Sequence, residues 1–138
     1  MRIYSNDGYM SISVDQEECL LYYKISGYPK FSEIIRNGHD KILVCVKEMK
    51  SEKPINYLVA DLLDAKILLN EDLEFIAKVS YPRLANEGIK HLVILVSENI
   101  NVKINVEKTL EYLDPKVFES VKLIENKKSI QKWLKSLA

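Results

Sequence analysis

Asp61 and Asp64 stand at the end of a dense apolar run, Ile55 to Leu62 (INYLVADL), and just beyond it. Two carboxylates at such a position can serve as acid and base or hold a cation, provided other groups converge on them. Loops at the carboxyl ends of parallel strands are where α/β proteins gather ligands. A crevice of that kind would bring Asp61 and Asp64 towards Asn70, Glu71, Ser97 and Glu98. Capping and turn formation account for the same residues.

His39 and His91 are the only histidines. An imidazole can bind metal or move a proton near neutral pH. These two are far apart in sequence and form no ligand cluster by themselves. His39 reads as an outward residue of a helix. His91 opens a buried strand, where a local hydrogen bond would satisfy it. Cys19 and Cys45 are 26 positions apart, with no CxxC and no disulfide framework. Cys45, inside ILVCV, reads as a small buried hydrophobe.

The four glycines, Gly8, Gly27, Gly38 and Gly88, are too scattered for a phosphate-cradling loop. Neither a GxSxG elbow nor an HExxH helix occurs. No catalytic residue, cofactor or metal site is therefore assigned. Eight tyrosines are many for this length. Core rims and sheet faces account for most of them, and a contact surface or apolar pocket built from Tyr22 or Tyr23, Tyr28 and Tyr81 is the alternative.

The elements that must position these residues are legible in the hydrophobic period. Tyr9 to Val14 alternates, as a strand does, and Cys19 to Ser26 (CLLYYKIS) follows after a short polar break, which predicts an antiparallel pair. Phe31, Ile34, Ile35, Gly38, Ile42, Cys45, Val46 and Met49 recur at helical spacing. Gly38 inside that helix implies close packing against a neighbour. INYLVADL and IKHLVILV read as inner strands buried on both faces. Between them a helix begins at Asn70, its expected N-cap, with Glu71 and Asp72 in the first turn. Pro82 predicts a kink or break near Tyr81, and Gly88 a C-cap. SENINVKIN reads as a polar connection before a helix carrying Val106, Thr109, Leu110 and Leu113. A short strand, Phe118 to Ile124, precedes a last helix capped by Asn126 and lined by Ile130, Trp133, Leu134 and Leu137. The predicted order is ββαβαβαβα, with helices on both sides of the sheet.

The 138 residues make one domain, 1–138, without linker or repeat. Acidic and basic side chains balance at 20 each, so the basic surplus of a nucleic-acid binder is missing. Lys122, Lys127, Lys128, Lys132 and Lys135 make the C-terminal segment basic and read as a solvated face. No stretch approaches a transmembrane span and no export signal opens the chain, so a cytoplasmic protein is expected.

Four segments, YYKISGYPKFSEI, YLVADL, YPRLANEGIKHLVILVS and VKLIENKKSIQKWL, carry a resemblance. Over residues 8–137 the chain resembles the STAS-like, or anti-sigma-factor-antagonist-like, group with SEC14-like kinship. More narrowly, it resembles the small single-domain proteins of Bacteroidetes-type bacteria. The resemblance implies a four- or five-stranded mixed sheet ringed by helices. In regulatory members, a serine at the start of the helix after the DL-ending strand is phosphorylated by a partner kinase. The corresponding positions here are Leu69, Asn70, Glu71 and Asp72, without serine or threonine. Glu71 or Asp72 carries a permanent negative charge there, which is less than a phosphate provides. The SEC14-like side implies a lipid or small apolar ligand.

The expectation is thus a non-catalytic protein-interaction or regulatory module, acting on a partner or as a homodimer. A small apolar ligand or lipid binder is the alternative, and an enzyme the last choice. The surface expected to serve either role comprises Tyr28, Asp61, Asp64, Asn70, Glu71, Asp72, Tyr81, Ser97 and Glu98.

Overall fold

A computed structural model describes residues 1–27, 32–66 and 68–137. Its sheet has six strands in the order β1-β2-β3-β4-β5-β6. They are β1 (Arg2–Asn6), β2 (Met10–Asp15), β3 (Leu20–Ile25), β4 (Tyr57–Asp61), β5 (His91–Leu95) and β6 (Ser120–Ile124). The first three form an antiparallel meander. Each step from β3 to β6 is parallel. The helices are α1 (Ser32–Met49), α2 (Asn70–Phe75), α3 (Tyr81–Asn86), α4 (Ile100–Tyr112) and α5 (Ser129–Ser136).

The mixed α/β class agrees with the sequence, while the strand count corrects it. The sheet has six strands rather than four or five, because Arg2–Asn6 adds an outer strand to β2. Among the described residues only its inner edge is paired, Ile3 is exposed and the register slips between Ile3 and Ser5, so no alternation betrays it.

A parallel crossover repeated in one direction along a sheet lays its helices on one face. Residues of α1, α2, α3 and α4 share one core with Met10, Ile12, Tyr23, Leu58, Leu92 and Ile94. The opposite face holds Leu20, Val59, Val93, Leu95 and Ile124, packed against Ile130, Trp133 and Leu134 of α5. Both faces are covered, as β4 and β5 require by being apolar on both, but the second is covered by one eight-residue helix.

Two local predictions acquire physical form. A Cβ at Gly38 would collide with the Met10 side chain, so the missing side chain lets α1 approach β2. At Pro82 the chain neither breaks nor ends. Proline has no N–H to offer the carbonyl four residues back, and the rod widens into a π-helical turn over Ile76–Ser80. The Tyr81 N–H reaches the Ile76 carbonyl five residues away. That turn joins α2 to α3, and Gly88 follows with φ near +110°, a conformation glycine adopts freely.

Candidate functional site

At the carboxyl edge, Asp61 ends β4 with its side chain on the α5 face, fully buried. Its Oδ1 accepts the Leu63 N–H at 3.0 Å, its Oδ2 accepts the Tyr22 hydroxyl, and Lys127 Nζ stands 3.7 Å from Oδ2. Burial, and then the bond to Asp61, raise the Tyr22 pKa above its ordinary value. Asp64, exposed in the following turn, pairs with Lys24 of β3 at 2.5 Å. The bond from Lys24 holds the Asp64 carboxyl below its usual range. Asp61 and Asp64 therefore do share one neighbourhood, with Tyr22, Lys24 and Lys127. Both Asp61 oxygens are occupied by groups of the fold, and no solvent reaches them.

The remaining residues of the expected surface divide. Tyr28 lies outside the described residues. Asn70 is the first residue of α2 rather than its cap, and its amide is tied to the Tyr112 hydroxyl, Nδ2 to Oη 2.8 Å. Exposed Glu71 accepts the Ser32 hydroxyl at 3.2 Å. Asp72 is fully buried, and among the described residues neither oxygen has a hydrogen-bond partner. Burial raises its pKa. Ser97 accepts the Asn99 N–H at 3.3 Å, and Glu98 is exposed beside it. Tyr81 is buried and meets Tyr23, hydroxyl to hydroxyl, at 2.7 Å. Asp61, Asp72 and Tyr81 thus present no side-chain surface to a partner, which corrects their place in the expected site. The helix buries one face of the Asn70–Asp72 turn, and the π-helical turn rotates Tyr81 inward.

Each histidine bonds a serine through Nδ1. His91 meets Ser120, its register partner on β6, at 2.7 Å, as a local hydrogen bond should. It stacks on Tyr57 at 5.3 Å. His39 contradicts its outward reading. It is buried, 2.6 Å from Ser80 Oγ, between Tyr23 and Tyr81. Ser80 belongs to the π-helical turn, so the widened rod supplies the partner that lets a histidine face the core. Burial pulls the His39 pKa from 6.5 to about 3. Cys45 is buried as expected, its thiol pushed up to about 11 by burial. Among the described residues no three His, Cys, Asp or Glu side chains group as metal ligands. Among them, too, no helix is long and apolar enough to cross a membrane.

A second surface lies beside the first and escaped the sequence reading. Helix α4 starts at Ile100, where the Asn99 side chain accepts the Asn101 N–H at 2.9 Å. Its inward positions include Asn105 and Thr109, while Ile100 and Ile104, one turn apart, are 69% and 43% exposed. On one flank of α4, a depression of about 230 Å³ has Val96, Val106 and Leu123 as its floor, with Lys103, Glu107 and Glu125 on its rim. On the other, one of about 150 Å³ is lined by Leu68, Asn70, Leu73, Asn101, Ile104 and Lys108. Val121 and Leu123 of edge strand β6 are 38% and 47% exposed. The signal in the sequence was an isoleucine pair with i, i+4 spacing inside SENINVKIN.

No protein-family model matches the chain, and comparison with curated proteins gives no match.

Proposed function

We propose that the chain is a non-catalytic protein-interaction module of the STAS-like regulatory kind, acting in the cytoplasm without the serine switch. The observation that carries this reading is the exposed aliphatic surface of α4 and β6. Isolated exposed apolar residues are ordinary, but four on one helix and its neighbouring strand, with Ile104 and Leu123 each lining a shallow depression, mark a contact surface. The parallel strand–helix succession supports the STAS-like part of the reading, and the lack of serine or threonine at Leu69–Asp72 supports the absence of the serine switch. The full engagement of Asp61 by Tyr22, Leu63 and Lys127 supports the non-catalytic part. A small apolar ligand is the second reading, favoured by the apolar floor near Leu123. At about 230 Å³ that depression is smaller than the roughly 300–1,000 Å³ of ordinary ligand pockets.

Affinity capture from the native host tests the module. Wild-type bait is expected to retain a protein saturably, and the double variant Ile104→Lys, Leu123→Lys to lose it while unfolding at an unchanged temperature. Retention by both baits, or by neither, rejects the reading.

A further inference from the structure

We propose that the partner on the α4–β6 face is a second copy of this chain, an inference that rests on the interaction-module reading above. The fold leaves a place for it. Each crossover from β3 to β6 adds a helix to one face of the sheet, but α5 turns to the opposite face after β6. Among the described residues, the position over β6, beside α4, is therefore open on the helix-bearing face. It contains the depression floored by Val96, Val106 and Leu123. β6 is also the last strand of the sheet, so among the described residues its outer edge pairs with nothing. Unpaired edges are usually guarded by charge, and Lys122 is the only charged residue in this strand.

The surface is complementary to itself. Its slot is walled by one flank of α4 that carries both a positive and a negative side chain, Lys103 and Glu107. A two-fold axis normal to the sheet brings β6 antiparallel to β6 of the second copy and α4 antiparallel to its counterpart. Every contact is then made twice, as an isologous interface requires. Lys103 and Glu107 lie one turn apart on the slot side of α4. Antiparallel pairing centred between them sets Lys103 against Glu107 of the second copy, and Glu107 against its Lys103. Opposite charges thus meet at both ends of the helix contact. On β6, side chains alternate, so Lys122 points to the α5 side while Val121 and Leu123 point to the helices. Placing Leu123 opposite Leu123 sets Lys122 against Ile124 and keeps the two lysines from facing each other, which would be repulsive.

Light scattering or sedimentation on the full chain at about 100 µM, well above a micromolar dissociation constant, reads the assembly. The expected mass is twice the 16.0 kDa of one chain. Leu123→Lys is expected to give a monomer. Lys103→Glu and Glu107→Lys should each weaken the dimer by about tenfold or more. An equimolar mixture of those two variants should recover it, because each then meets its opposite charge. Thermal unfolding of each variant verifies that it is folded. A wild-type monomer, a dimer indifferent to Leu123→Lys, or a mixture that stays dissociated overturns the self-pairing. A wild-type monomer that still retains a different protein through Ile104 and Leu123 overturns the self-pairing alone and leaves the module reading standing.

Discussion

His39 shows how much one side chain depends on its surroundings. Its Nδ1 meets Ser80 at 2.6 Å, its Nε2 has no partner among the described residues, and aromatic rings flank it. Charging the ring there means placing a cation in an apolar core. Burial accordingly depresses its pKa from 6.5 to about 3. The unfolded chain keeps the ordinary value, so between these limits it binds a proton that the folded chain refuses. Stability from this residue is complete above pH 6.5 and is lost progressively as pH falls towards the folded pKa. At about pH 5 the loss amounts to about 2 kcal/mol. Urea unfolding of wild type and His39→Gln at about pH 7 and about pH 5 checks this. The variant is expected to be less stable at neutral pH, with its own fall over that interval smaller by about 2 kcal/mol. Equal falls in the two proteins would mean that His39 takes up its proton without unfolding. Asp61 is a contrasting case, because the fold supplies what a buried carboxylate needs: an N–H, a hydroxyl and a nearby ammonium.

At the scale of elements, α4 is the helix on which the functional reading depends, and its first turn is held by a side chain outside it. Asn99, the residue before Ile100, caps the helix by accepting the Asn101 N–H. Replacing Asn99 by Ala is expected to cost about 1 kcal/mol in denaturant unfolding. It should also weaken self-association, because a frayed first turn no longer fixes Lys103. Unchanged stability with unchanged association would show that the turn needs no cap. This helix was only half legible in the sequence. Its buried positions hold Asn105 and Thr109 and its exposed ones Ile100 and Ile104, so hydropathy pointed the wrong way and the first half read as a loop. The strands β4 and β5 were legible because burial on both faces leaves an unbroken apolar run. The inner face of α1 was legible from its spacing, apart from His39, whose Ser80 partner comes from an element that sequence period cannot bring alongside. Asp61 and Asp64 stand near one another at the carboxyl edge of the sheet. Their counter-charges, Lys24 and Lys127, come from a neighbouring strand and from the turn before α5. Only the folded register reveals such partners.

Across the whole molecule the two faces of the sheet are unequally protected. One carries α1 to α4, the π-helical turn and most of the core. The other depends on α5, whose Ile130, Trp133 and Leu134 cover Leu20, Val59, Val93, Leu95 and Ile124. The helix is short, and isolated helices of that length do not persist in water, so burial rather than propensity holds it in place. Asn126 assists by accepting the Ser129 N–H at 3.1 Å. Its lysines, Lys128, Lys132 and Lys135, stay in solvent on the other side. Trp133 also packs edge-on against Tyr57, which stacks on His91, so this helix steadies the amino edge as well as the sheet face. Trp133→Ala should cost about 3–5 kcal/mol by chemical denaturation, the range for truncating a large buried aromatic. Removing residues 126–138 altogether goes further, since it uncovers a contiguous apolar sheet face that no other element is placed to cover. The shortened chain is expected to bind a hydrophobic dye and to form polydisperse aggregates, unlike the defined monomer expected of Leu123→Lys. The contrast separates two apolar surfaces of one sheet. The face under α5 is closed within the chain and becomes a liability when opened, whereas the α4–β6 face is open in the folded chain. A shortened chain that remained monodisperse and dye-free would show that α5 is dispensable and that the second face tolerates water.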